Sequence, residues 1–148
     1  MKRVSAKILW FFSVLILAWQ SRLLFWGWWS FPYEEGAFFA FLIWLFPLPW
    51  ASRLRVSPLW FFLALIFAFL GMISTFNTLT YLGFAFICIA LCPLRFVFVL
   101  HGLFSIAWMP AWGWIALHLF PEYVYFSRIA LAILSSILVW VCRNLRKS

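Results

Sequence analysis

Aspartate is missing from this sequence, and glutamate occurs only as Glu34, Glu35 and Glu122. None of these lies within an apolar run. A proton- or cation-coupled pump needs an acid inside the membrane, so the sequence argues against one. No paired-carboxylate site, Gly-rich phosphate loop, His-x-x-x-His pair or Gly-x-Ser-x-Gly elbow is present, which argues against an ATPase, a zinc protease and a serine hydrolase. Cysteine is sparse: Cys88 and Cys92 lie four apart, and Cys142 stands near the end. They lack partners at metal spacing and are expected to pack as small apolar groups, so no metal, cofactor or catalytic residue is assigned. Charge of any kind is scarce, at 9% of residues. A soluble domain carries roughly 25%, so this chain cannot cover itself in water.

What fills the chain is hydrocarbon: 68% of it is hydrophobic and 24% aromatic. The expected fold is all-α, a polytopic membrane bundle of about six transmembrane helices with both termini in the cytoplasm. At roughly 20 residues per crossing, the 148 residues form a single transmembrane domain. The helices are expected at about 8–28, 34–50, 58–75, 79–93, 96–115 and 123–142.

The clearest stretch is Pro58–Pro93, free of charge and broken in its middle by Ser74-Thr75-Phe76-Asn77-Thr78. It predicts a hairpin of two helices with a polar turn. Ala64, Ala68 and Gly71 lie at i, i+4 and i+7, a stripe that lets another helix approach closely and that, with the wide aromatic surfaces, motivates packing against a partner or a second copy. At the N-terminus, Ala18-Trp19-Gln20 makes a poor cleavage site, so the first apolar run is taken as an uncleaved helix. Pro47 and Pro49 should stop the second helix near Phe46. Pro110 leaves two options for Ala111–Phe120: a kinked continuation of helix five or a short helix in the membrane interface. The second is preferred.

Lys and Arg set orientation through the cytoplasmic excess of basic residues in short loops. Threading six helices from a cytoplasmic N-terminus puts Lys2, Arg3, Lys7, Arg53, Arg55, Arg95, Arg143, Arg146 and Lys147 inside, and all three glutamates outside. Arg22 and Arg128 fall near outer helix ends. Basic residues scattered between apolar runs form no face for nucleic acid. The partners expected are the bilayer and another membrane protein or a second copy.

The remaining polar groups gather at the outer ends: Arg22, Glu34, Glu35, His118, Glu122 and Arg128 form a candidate rim for a ligand or partner. His118 and Glu122 would share a face if that segment is helical, and Arg22 or Arg128 could pair with a glutamate at the rim. The alternative is ordinary interfacial charge, which costs little at helix ends. His101 is expected to hydrogen-bond a neighbouring helix, since no intramembrane acid accompanies it. Most of the twelve tryptophans lie near predicted helix ends, where indole suits the head-group level.

Several stretches between Gly36 and Trp114 carry a resemblance. They are Gly36-Ala37-Phe38-Phe39, the basic pair Arg53 and Arg55, Pro58-Leu59-Trp60, Leu79-Thr80-Tyr81-Leu82-Gly83, and Ser105-Ile106-Ala107-Trp108-Met109-Pro110-Ala111. Together they resemble the N-terminal half of bacterial exosortases and archaeosortases. Nothing here matches that family's catalytic Cys, Arg and His motif, so the resemblance implies a non-catalytic relative or companion subunit. The function expected is a non-catalytic subunit of an inner-membrane complex in cell-envelope or protein-export processes. The alternative is an enzyme or carrier acting on a lipid-linked or peptide substrate at the outer face.

Overall fold

The computed structural model describes residues 2–31, 34–51, 56–93 and 95–144, with side chains from Ser5 onward. Arg53, Arg55, Arg146, Lys147 and the side chains of Lys2 and Arg3 lie outside the described residues. Among the described residues every regular element is helical. Helix α1 (Lys2–Gln20) meets α2 (Arg22–Ser30) at a 45° bend around Ser21. Next come α3 (Ala37–Leu45) and α4 (Leu48–Ala51), divided at Pro47 as proline's missing donor dictates. The hairpin is α5 (Pro58–Ser74) and α6 (Asn77–Ile89). Then α7 (Phe96–Leu103) tightens into a 3-10 turn, Phe104–Trp108, and Pro110 opens α8 (Pro110–Leu119) at 68° to what precedes it. A 3-10 turn, Pro121–Tyr123, leads into α9 (Val124–Asn144).

These bounds differ from expectation at several places, among them the fourth helix, which ends at Ile89, short of 93. The first helix begins earlier and is bent rather than straight. The second begins after Gly36, whose φ of +80° puts it in the left-handed region. A Cβ there would also lie 2.7 Å from the Tyr125 ring, so glycine fits twice over. Between Phe96 and Leu119 the chain breaks at Met109, whose φ of −89° and ψ of 153° are extended, so Pro110–Leu119 is a helix of its own, as in the preferred of the two options. The residue before a proline is pushed out of the α region, which accounts for the break.

Among the described residues one helix, Pro121–Asn144, is long and apolar enough to cross a membrane, and the count rises to three if each bent pair, Ser5–Gln20 with Arg22–Ser30 and Phe96–Trp108 with Pro110–Leu119, is one span. Three shorter apolar helices, Ala37–Ala51, Pro58–Ser74 and Asn77–Ile89, complete the bundle. Large apolar side chains cover the exterior, Phe12, Trp19, Phe62, Phe126 and Trp140 among them.

Cross-links fix the directions of the segments. Ser136 bonds the Ile43 carbonyl and Arg128 bonds Glu34; the paired numbers differ by 93 and 94, so α3 and α9 run parallel. His101 meets Ser135 while Ala107 meets Arg128, so α7 runs antiparallel to α9. In the α5–α6 hairpin, Gly71 faces Thr80 and Gly83 faces Ala64 and Ala68. A Cβ on Gly83 would lie 2.8 Å from the Ala64 carbonyl oxygen and 2.9 Å from the Ala68 nitrogen. The stripe Ala64, Ala68 and Gly71 is therefore buried against α6 of the same chain. That corrects its use as a motive for partner binding.

Four of the tryptophans are core residues rather than belt: Trp28, Trp44, Trp60 and Trp108 are buried. Trp28, Phe41, Trp44 and Trp108 pack ring against ring with centroids 5.3–6.4 Å apart. The indole N–H groups of Trp10, Trp28 and Trp44 tie helices together. Trp44 donates to the His101 carbonyl at 2.7 Å and Trp10 to that of Ile87 at 2.8 Å. Trp19, Trp26, Trp29, Trp50, Trp114 and Trp140 stay exposed, where the belt reading applies.

Candidate functional site

The break at Met109 frees backbone carbonyls. In a continuous helix the carbonyl of Ala107 would accept from residue 111 and that of Trp108 from residue 112. A carbonyl buried without a donor costs about 1–3 kcal/mol. Side chains supply the donors instead. Arg128 Nη1 donates to the Ala107 carbonyl at 2.8 Å and, at 3.1 Å, to the Met109 carbonyl, which also accepts from the Trp112 N–H at 3.2 Å. Trp28 Nε1 donates to the Trp108 carbonyl at 3.1 Å. Three successive carbonyls are thus capped from α9 and α2.

The other end of the same guanidinium carries the ion pair. Arg128 Nη2 donates to Glu34 Oε2 at 3.2 Å, and the two side chains are 0% and 1% exposed. Glu34 lies in the turn just before α3, its N–H donating to the Phe31 carbonyl at 3.0 Å, two residues ahead of the left-handed Gly36. Burial pushes the Glu34 carboxyl up to about 7, while the neighbouring Arg128 cation acts to lower it. Phe84 of α6 packs edge to face on Trp108, with ring centroids 6.4 Å apart. The centre therefore joins α2, α3, α6, α9 and the broken α7–α8 segment.

Of the six residues placed on a rim, the structure brings only Glu34 and Arg128 together, and it buries them instead of leaving them at a surface. Arg22 is exposed, with its guanidinium 3.3 Å from the Trp19 carbonyl and over the Trp19 ring. Glu35 and Glu122 are exposed. His118 is exposed and binds the Trp114 carbonyl within its own helix at 2.7 Å. Helix α8 ends at Leu119, ahead of Pro121, so His118 and Glu122 do not share one helical face. Among the described residues no cluster of His, Cys, Asp and Glu is placed to hold a metal.

A second polar link sits deeper in the bundle. The His101 ring stacks on Trp44, with centroids 4.9 Å apart and planes at 4°. Its Nε2 is 3.0 Å from the Trp44 carbonyl, and its Nδ1 meets the Ser135 hydroxyl. A carbonyl only accepts, so Nε2 carries the proton and Nδ1 accepts from Ser135. His101 thereby joins α7 to both α3 and α9. Ser136, one residue on, donates to the Ile43 carbonyl at 2.7 Å.

The sequence left open which glutamate Arg128 would meet and placed the pair at the rim, because its halves are 94 residues apart. One signal pointed to it: an arginine inside the last apolar run is expensive unless paired. Comparison with protein families, curated proteins and solved structures finds no match for this chain.

Proposed function

We propose that this chain is a six-crossing protein of the bacterial inner membrane, with both termini in the cytoplasm, acting as a non-catalytic subunit of a membrane complex. Six apolar segments of alternating direction support the crossings: α1 with α2, α3 with α4, α5, α6, α7 with the 3-10 turn, and α9. The short segments reach across because they pack against longer neighbours and the bilayer thins or the ends snorkel to meet them. Charge supports the orientation, since the three glutamates fall on one side and nine of the eleven basic residues on the other.

The observation that carries the subunit reading is the free face of α1 and α2. Ile8, Phe12, Leu15, Trp19, Leu23 and Trp26 recur at helical spacing along both helices, each about half exposed or more. The interior polar groups described above serve to tie this chain's own helices, which leaves apolar packing as the means of association. The exosortase-like stretches fit a companion to such an envelope system.

A photo-crosslinking amino acid at Phe12, on that face, should give one discrete protein adduct in native membranes. The same probe at Phe62 of α5 serves as the comparison. An adduct of twice the chain mass would identify a second copy, and a different mass a distinct partner. Lipid adducts alone at Phe12 would overturn the proposal.

A further inference from the structure

A groove of about 360 Å³ opens between α3–α4 and the C-terminal half of α9. Its walls are apolar, with Ile43, Phe46 and Ile137 along them and Trp50 and Trp140 beside them. Along α9 it runs from Ile133 to Arg143, about 15 Å of helical rise. The Ser136 hydroxyl in the groove is taken up by the Ile43 carbonyl. Arg143 supplies the groove's charge, half-buried in the last turn of α9. Neither wall carries a carboxylate, since α3, α4 and α9 contain no acid. The sequence leaving α4 continues to Arg53 and Arg55, and that leaving α9 to Arg146 and Lys147.

We propose that this groove holds an acyl chain of an anionic phospholipid, with the phosphate against Arg143. The proposal rests on the membrane placement above, which puts Arg143 at the cytoplasmic face. Basic pockets between helices on that face suit anionic head groups, and each nearby cation contributes about 1 kcal/mol, roughly a fivefold change in binding. Trp50 and Trp140 would lie at head-group level, where indole is favoured. The molecule carries its own control: a groove of about 420 Å³ between α1 and α5, lined by Ser13, Gln20, Leu65 and Met72 among others, has no charged residue.

The test uses the full-length protein in nonionic detergent, with native mass spectrometry after adding phosphatidylglycerol or phosphatidylcholine of identical chains. The wild type should retain phosphatidylglycerol about fivefold better. Arg143→Gln should bring the two lipids to parity, and Arg143→Lys should keep the preference. Ile137→Trp, which fills the groove, should lower retention of both, while Leu65→Trp in the uncharged groove should leave the preference unchanged. An anionic preference that survives Arg143→Gln would overturn the proposal, as would equal losses in the two tryptophan variants. If Ile137→Trp does not fold, the two Arg143 variants decide. Failure of the membrane placement would show separately, as recovery of the chain in the soluble fraction before any lipid is added.

Discussion

Replacing Arg128 with methionine keeps most of the side-chain volume and removes every bond the guanidinium makes. Glu34 would lose its counter-charge while buried, and the carbonyls of Ala107 and Met109 would lose a donor. Breaking one side of a buried pair costs about 3–5 kcal/mol. For a chain of this size each kcal/mol moves the melting temperature by about 2–4 °C, so Arg128→Met should melt roughly 6–20 °C lower. Glu34→Gln should cost less, about 1–3 kcal/mol, because the amide oxygen still accepts from Arg128. The double variant should be less damaged than the two single losses together, with a coupling of about 1–3 kcal/mol, since the second change no longer strands a charge. The assay is thermal unfolding in mild detergent, followed by tryptophan fluorescence; Trp28 and Trp108 adjoin the site. Melting of Arg128→Met within about 2 °C of wild type, with additive single effects, would refute the clamp.

Gly83→Ala should loosen the α5–α6 hairpin by about 1–3 kcal/mol, because the new methyl meets backbone on α5. An unchanged melting temperature would contradict that contact. Thr75 closes α5 with a φ of 57°, a conformation a β-branched residue adopts at a cost. Thr75→Gly should therefore stabilise by about 1 kcal/mol in the same melt, and a loss would show that the threonine side chain matters more than its backbone. The His101 imidazole should show one protonated nitrogen, Nε2, by ¹⁵N NMR, and a proton on Nδ1 would contradict the bonds to Trp44 and Ser135.

The Pro58–Pro93 hairpin was legible because its punctuation is local. Pro58 sits in the first turn of α5, polar residues make the turn, and small residues mark the face that meets α6. Pro47 and Pro110 likewise act on their own backbone. What sequence did not reveal depends on bends. Trp28 and Trp108 lie near helix ends in the sequence, but the bends at Ser21 and Met109 turn those ends into the core. Arg128 lies a turn or so into α9, which suggests a rim. Helix α8 folds back beside that start, with Trp112 Nε1 donating to Ser127 at 3.0 Å, so the rim position becomes interior. Glu34 follows, because only a long-range pairing makes burial of both charges tolerable. Arg22, Glu35, His118 and Glu122 have no such partner among the described residues and stay at the surface.

The proposed topology has six segments crossing one bilayer with alternating direction. It is tested most directly by cysteine labelling in intact cells. The native Cys88, Cys92 and Cys142 would be replaced by alanine, and single cysteines placed at Asn77, Glu122 and Ser148. A membrane-impermeant maleimide should label positions 77 and 122 on intact cells, and position 148 only after lysis. Labelling of all three on the same side, or of 77 and 122 on opposite sides, would contradict the account.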